Sequence, residues 1–289
     1  MRLENNACQN RRSRAKTPGA RFAAMKYAFL GAGKMASAII HGMLRAKVCG
    51  PSDIIASCPE PELLGKLRDA TSVNVVSSNS EAVAFASTVL LCMKPADVAG
   101  ALAQAAGALD GRLIISIVAG VPIASLTKLA PGCRVIRAMP NTAAMVGRAA
   151  TAYACSDSVT PADTAVAQAV FASIGAAFPV QEKMLNAVTG LSGSGPAYIY
   201  LVIEAMSDGG VACGLPRKLA LDLAVQTVIG AAEMLAETAE HPAVLREMVT
   251  SPAGTTMAGL RELETRGVRS AIIEAVSAAA ERARELSGE

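Results

Sequence analysis

The sequence predicts an α/β domain built on a parallel sheet, followed by an all-α domain. Three observations lead there. From Lys26 to about Val180, short apolar runs alternate with helix-like segments, the rhythm of βαβ units. At residues 28–40, AFLGAGKMASAII, a strand-like run breaks into glycine and resumes as a helix. Beyond Gln181, strand-like runs vanish and long segments of helical spacing follow.

The runs at 27–30, 53–57, 73–76, 88–93, 112–118 and 133–138 read as strands. After the first, Gly31, Gly33 and Ala36 stand at the first, third and sixth places of G-x-G-x-x-A, with Ala32, Lys34 and Met35 between them. Met35, Ile39, Ile40, Met43 and Leu44 then recur at helical spacing. Such a stretch is either a plain strand–helix turn or a seat for a phosphate, and the strand–helix context favours the second. In that Rossmann-type reading Gly31 allows the tight turn and Gly33 lets a pyrophosphate reach the backbone. Ala36 lets the helix pack on the sheet, and the helix N-terminus offers free N–H groups to the anion.

Asp53 to Ser57 reads as the second strand. An NAD site is expected to carry an acid where that strand ends, to hold the ribose 2′-OH. Here Ser57-Cys58-Pro59 stands there. Small neutral residues leave room for a 2′-phosphate, so NADPH is expected to bind better than NADH. An aspartate in place of Ser57 is expected to reverse the order. Arg68 reads as a solvated helix residue.

The helical segments of the second domain are 196–213, 217–238, 242–250, 255–266 and 268–286, punctuated by Gly214-Leu215-Pro216 and His241-Pro242. The chain therefore divides into a dinucleotide domain, 25–181, and a helical domain, 182–289. Residues 1–24 carry Arg2, Arg11, Arg12, Arg14, Lys16 and Arg21 against one acid, Glu4. Without an apolar core this is no secretory signal. It reads as a disordered basic extension ahead of a start at Met25, in preference to an organelle-targeting segment, which implies a cytoplasmic protein.

The net charge of +3 is spread out, with no basic stripe interleaved with aromatics, so nucleic acid is not an expected partner. The longest apolar run, Leu113 to about Leu126, is too short to span a bilayer and contains Pro122. Apolar residues make up 52% of the chain and charged ones 18%, which hints at a large subunit interface. Seven cysteines form no CxxC pair and read as reduced, mostly buried residues in a reducing compartment. His41 and His241 are too isolated for a zinc site, so no metal is expected.

LSGSGPAYIYLVIEAMSDGGVACGLPRKLA (191–220) and HPAVLREMVTSPAGTTMAGLRELE (241–264) resemble the signature region of the pyrroline-5-carboxylate reductase family. CMKPADV (92–98), ISIVAGV (115–121) and IRAMPNTAAMVG (136–147) are similar to that family too, in the family's order. The resemblance implies reduction of 1-pyrroline-5-carboxylate to L-proline with NAD(P)H, by a Rossmann domain and a helical domain that interlocks with its twin. It implies a homodimer, with dimers gathering into larger rings up to a decamer. Carried over by motif, Gly31 to Ala36 would hold the pyrophosphate, Ser57 would lie near the adenosine 2′ position, and Asn79 near the adenosine ribose. Lys94 and Pro95 would line the cofactor. Ala119-Gly120 and Met139 to Thr142, including Asn141, would approach the nicotinamide. Ser251, Gly254, Thr255 and Thr256 would form the substrate loop. The family usually has glycine where Ala253 stands; a methyl group there demands a negative φ or an adjusted loop.

The loop TSPAGTTM (250–257) contains hydroxyls and no acid, histidine or lysine. Backbone N–H groups where it enters the next helix are suited to a small carboxylate. The residues alone favour a helix cap by Ser251 or Thr255, and the resemblance favours the substrate. A protonated cyclic imine accepts hydride at C5 directly, so Thr256 needs only to hydrogen-bond the ring nitrogen and position the ring. Lys94 reads as a residue steering the cofactor, not as a catalyst. Tyr198 and Tyr200 read as packing residues, and Glu204 with Asp208 as a polar interface face. Two rivals are a β-hydroxyacid dehydrogenase and a non-catalytic NADPH-binding regulator. The first calls for a lysine near Thr189–Pro196, which is absent; the second would not need the 251–256 loop.

Overall fold

The computed structural model describes residues 25–288. The basic extension at 1–24, with Cys8, lies outside the described residues. β1 (Tyr27–Leu30), α1 (Lys34–Arg45), β2 (Ile54–Ser57), α2 (Pro61–Thr71), β3 (Asn74–Val76), α3 (Asn79–Phe85), β4 (Thr88–Leu91), α4 (Val98–Gln104), β5 (Leu113–Ser116), α5 (Ile123–Leu129) and β6 (Arg134–Met139) alternate as the sequence predicts. Two further strands follow, β7 (Ala149–Cys155) and, after α6 (Pro161–Ala172), β8 (Gly175–Pro179).

All eight strands form one sheet in the order β3-β2-β1-β4-β5-β6-β7-β8. Neighbours from β3 to β6 run parallel, β7 runs antiparallel to β6, and β8 is parallel to β7. The sheet is therefore mixed, not purely parallel. The link from β6 to β7 holds only a single turn, Thr142–Val146, too short for a crossover, so the chain must return alongside.

β1 shows why these strands read as unbroken apolar runs. Tyr27 and Phe29 pack with Ile39, Ile40 and Met43 on one face of the sheet. Ala28 and Leu30 pack with Val83, Leu91 and Val118 on the other. Both faces are covered, so alternation has nothing polar to alternate with. At the far side, Arg134 Nε donates to Asp163 Oδ2 at 2.7 Å, tying β6 to the start of α6. There Thr160 and Asp163 also make a reciprocal cap before Pro161.

After β8 come α7 (Leu185–Val188), a π-helical turn (Thr189–Gly193), α8 (Gly195–Ala212), α9 (Arg217–Thr238), α10 (Pro242–Met248), α11 (Thr255–Thr265) and α12 (Val268–Ser287). α12 presses on the π turn: a β-carbon on Gly190 would stand 2.4 Å from the Val276 carbonyl oxygen. Tyr198 donates from its hydroxyl toward the carbonyls of Gly190 and Ala275, whereas Tyr200 is 65% exposed and does not pack as expected. Arg137 pairs with Glu182 at 3.0 Å, and Glu182 also accepts from the Ile123 N–H, so the sheet grips the start of the helical segment.

The outer helices bury little within the chain. Leu201, Leu223, Ile229 and Ile273 are all exposed. By length and composition α9 is apolar enough to cross a membrane, although Lys218, Asp222 and Glu233 interrupt its apolar run. Arg217 pairs with Asp208 between α8 and α9, while Glu204 lies exposed on the same face. His41 is exposed, and His241 caps α10 by accepting the Ala243 N–H at Nδ1. The six described cysteines are free thiols. Cys58 and Cys133 are buried, but Cys155 and Cys213 are exposed, so "mostly buried" does not hold.

Candidate active site

The strand order reverses between β1 and β4, and a doubly wound sheet binds its ligand at that switch point, beyond the carboxyl ends of the strands. The two loops meet closely there. Gly31 has φ +104°, and a β-carbon on it would stand 2.3 Å from the Cys92 carbonyl oxygen. Its N–H donates to the Ser57 carbonyl at 2.8 Å, which pins the turn to β2. Gly33 differs: its φ is −72°, and no atom lies within 4 Å of where its β-carbon would be. Nothing in the fold requires glycine at 33, so the open space over it fits an approaching pyrophosphate. Gly33 begins α1 without a side-chain cap, and the first turn holds no acid. Ala32 and Ala36 are buried, Met35 is half-buried, and Lys34 is exposed.

At the end of β2 the serine side chain turns into the protein. Ser57 is fully buried, and its hydroxyl donates to Asn79 Oδ1 at 2.7 Å. Asn79 Nδ2 in turn donates to Gln104 Oε1 at 2.7 Å. The Ser57 hydroxyl is therefore engaged by Asn79, and an aspartate there would face the Asn79 carbonyl oxygen. Directly after Ser57-Cys58-Pro59 stands an acid, Glu60. Glu60 is exposed, and the Cys58 thiol donates to its Oε2. Burial first, and the Glu60 hydrogen bond second, push the Cys58 thiol up, so it remains a donor.

The other expected cofactor residues gather along the same edge. Lys94 and Pro95 follow β4 and are exposed. Ala119 and Gly120 follow β5, and the Leu286 carbonyl of α12 lies against Gly120. Asn141 follows β6 and bridges the domains: its Nδ2 donates to the Ser192 carbonyl in the π turn at 3.0 Å. Its Oδ1 accepts from the Ala150 N–H.

In the 250–257 loop, Pro252 is followed by Ala253 at φ +55°, and the Gly254 N–H returns to the Ser251 carbonyl at 3.0 Å. Proline second and a positive φ third describe a type II turn, which favours glycine at the third place. Ala253 thus keeps the glycine conformation, contrary to the expected negative φ or adjusted loop, at a cost of about 1–2 kcal/mol. α11 starts at Thr255 with Gly254 as its N-cap and no side-chain cap, so neither Ser251 nor Thr255 serves as the expected cap. Thr256 is half-buried, and no hydrogen bond within the described residues occupies its hydroxyl. Among the described residues no side-chain hydrogen bond ties this loop to the sheet domain; its neighbours Met248, Val249 and Met257 are exposed.

Residues 182–286 match the family described as pyrroline-5-carboxylate reductase dimerisation, and residues 26–120 match NADP oxidoreductase, coenzyme F420-dependent. A pyrroline-5-carboxylate reductase of Synechocystis is 46% identical over 257 residues, covering 89% of this chain and 96% of its own. The chain belongs to the pyrroline-5-carboxylate reductase family. The family's Arabidopsis thaliana member is 44% identical over 91% of this chain and 95% of its own. A Coxiella burnetii pyrroline-5-carboxylate reductase superposes with a TM-score of 0.86 at 32% identity, covering 91% of this chain and 98% of that one. The Plasmodium falciparum pyrroline carboxylate reductase, solved with NADP bound, superposes with a TM-score of 0.84 at 30% identity, covering 92% and 99%. The chain is an NADPH-dependent oxidoreductase of proline biosynthesis that reduces 1-pyrroline-5-carboxylate. The contacts of Asn79 with Gln104 and of Asn141 with Ser192 are tertiary and carried no signal in the sequence.

Proposed function

We propose that the residues gathered at the switch point and in the 251–256 loop are the two halves of the pyrroline-5-carboxylate reductase site. Gly31 to Ala36 hold the pyrophosphate on the free N–H groups of α1. Asn79 lies by the adenosine ribose, with Ser57 behind it as its support. Lys94 and Pro95 flank the cofactor, and Ala119, Gly120 and Asn141 border its nicotinamide end. NADPH, or more weakly NADH, supplies the hydride when bound.

The observation that carries the substrate assignment is the uncapped start of α11 in a loop with no ionisable group. Thr255 and Thr256 present backbone N–H groups to the substrate carboxylate at the start of α11, with Ser251 and Gly254 beside them. The Thr256 hydroxyl accepts from the protonated ring nitrogen and fixes C5 toward the hydride. No general acid is needed, since the substrate brings its own proton and the product amine takes its last one from water.

The division at 181/182 separates the two halves, and the exposed apolar face of the outer helices is covered in a homodimer, or in rings of dimers up to a decamer. We read α9 as an interface helix, so no membrane is a partner, and neither is nucleic acid. The free thiols suit a reducing cytoplasm. Purified protein mixed with NADPH and pyrroline-5-carboxylate should consume NADPH and form L-proline in equal amounts. NADPH loss without proline would refute the reading. Light scattering of an active monomer at micromolar concentration would refute the assembly.

A further inference from the structure

We propose that Asn141 is a positioning residue for the reduction: its side chain ties the nicotinamide edge of the sheet to the π turn, and so sets how the hydride meets the substrate. The inference rests on the reading that Ala119, Gly120 and Asn141 border the nicotinamide and that the 251–256 loop holds the substrate.

The tie has a cause in the sequence. In an α-helix the Ser192 carbonyl would accept the N–H of residue 196, but residue 196 is proline and has none. Residue 197 does not stand in, because the Ala197 N–H donates to the Ser194 carbonyl. The Ser194 N–H reaches back to the Thr189 carbonyl at 2.8 Å, the wider spacing of a π-helix. The Ser192 carbonyl thus lacks its usual helical donor. Asn141 Nδ2 fills that place at 3.0 Å, while its Oδ1 accepts from the Ala150 N–H of β7 at 3.4 Å. A planar amide held on both sides fixes the spacing between sheet and turn.

The tie sits where the two halves are pressed together. Met139 ends β6 two residues before Asn141, and a β-carbon on Gly193 would stand 2.9 Å from its Cε. The same turn meets α12, where a β-carbon on Gly190 would stand 2.8 Å from the Ala280 backbone nitrogen. α12 follows α11 through Gly267, at φ +69°, and α11 begins in the substrate loop. Contacts therefore run from β6 through the π turn and α12 to the helix that carries Thr256. The Arg137–Glu182 pair fastens the same strand to the start of the helical segment. Loss of the Asn141 tie should then loosen the alignment of the halves without parting them.

Two variants test this. Asn141→Leu keeps a similar shape and removes both hydrogen bonds. Pro196→Ala attacks the same tie from the turn, by giving the Ser192 carbonyl a helical N–H of its own, and leaves the sheet untouched. It decides the question if Asn141→Leu does not fold. NADPH dissociation is measured by calorimetric titration without substrate, and amide exchange across 189–193 in the free protein. The rate of hydride transfer is read from NADPH oxidation in a single turnover with 1-pyrroline-5-carboxylate. Hydride transfer should slow roughly 10- to 100-fold in both variants, the effect of a misplacement near 1 Å, with NADPH dissociation unchanged. The π-turn amides of Asn141→Leu should exchange faster. A lower melting temperature with an unchanged transfer rate would make the tie merely structural and overturn the proposal. Weaker NADPH binding in Asn141→Leu, or a slowing that Pro196→Ala does not share, would make Asn141 a cofactor ligand and overturn it too. Thr256→Val is the control for the site. If it lowers kcat/KM while hydride transfer in the other two is unchanged, the role of Asn141 fails and the site stands. If Thr256→Val has no effect, the reading of the site fails and the role of Asn141 with it.

Discussion

The α-carbon of Gly31 faces the carbonyl of Cys92 so closely that a single added β-carbon would lie 2.3 Å from that oxygen. The two glycines of the turn should therefore fail differently. Gly31→Ala meets backbone and a positive φ together, and should lose about 2–4 kcal/mol of stability. Gly33→Ala should keep its stability within about 0.5 kcal/mol and lose cofactor affinity instead. Thermal melts paired with NADPH titration separate the two. Equal melting temperatures for both variants would contradict the geometry.

Ser57→Asp was expected, on residue type alone, to exchange NADPH for NADH. The burial of Ser57 against Asn79 changes that expectation. A carboxylate there would face the Asn79 carbonyl oxygen without a counter-ion, at a cost of about 3–5 kcal/mol. The variant should unfold early in urea. A stable variant with reversed cofactor preference would show that the Ser57 side chain can turn to the ribose.

Thr256→Val keeps the shape of the side chain and removes one charge-assisted hydrogen bond, worth roughly 1.5–3 kcal/mol. Steady-state kinetics should show kcat/KM lower by about 10- to 150-fold, with NADPH affinity unchanged. Complete loss in a folded variant would assign Thr256 an obligatory proton transfer, and no loss would remove it from the site.

Ala253→Gly relieves a left-handed alanine in a turn made for glycine. Folded-state relief exceeds the added freedom of the unfolded chain, so stability should rise by about 0.5–1 kcal/mol. Because the turn already has the glycine geometry, kcat/KM should stay within about threefold. A large gain in kcat/KM would mean that the methyl group obstructs the substrate.

Asp163 predicts an acid-sensitive contact. Burial alone would raise its pKa, but the hydrogen bonds from Arg134 and Thr160 outweigh it and hold the carboxyl below its ordinary value. The unfolded chain thus takes up this proton at a higher pH than the folded one. The stabilisation is complete above the ordinary carboxylate pKa of about 3.9 and is lost as pH falls through the depressed folded value. Asp163→Asn should cost about 1.5–3 kcal/mol near neutrality, and the difference from the parent should shrink below about pH 4. A difference constant down to the acid limit would rule out the charge as its source.

The strands that sequence alone could place were those rich in branched and large apolar residues, such as Ile54-Ile55 and Val89-Leu90-Leu91. β7 escaped because Ala149-Ala150-Thr151-Ala152 carries the residues of a helix, and only its pairing with β6 and β8 makes it a strand. The π turn was hidden because Thr189-Gly190-Leu191-Ser192-Gly193 has the composition of a loop; the close approach of α12 to Gly190 is a tertiary fact. The glycine turn was legible because its chemistry is local. The ribose end was not. Which of Ser57, Cys58 and Glu60 faces outward depends on Asn79, 22 residues away in sequence.

The bare outer surface of α8 and α9 carries a kinetic consequence. Leu201, Leu223 and Ile229 have no cover within one chain, so in the proposed homodimer a lone polypeptide emerging from denaturant can close its sheet core but must still meet another. Recovery of activity should then contain a second-order step, whose half-time shortens as protein is added. Too little protein would leave chains waiting with sticky helices, and too much would favour clumping over correct pairing. An intermediate concentration should give the best yield.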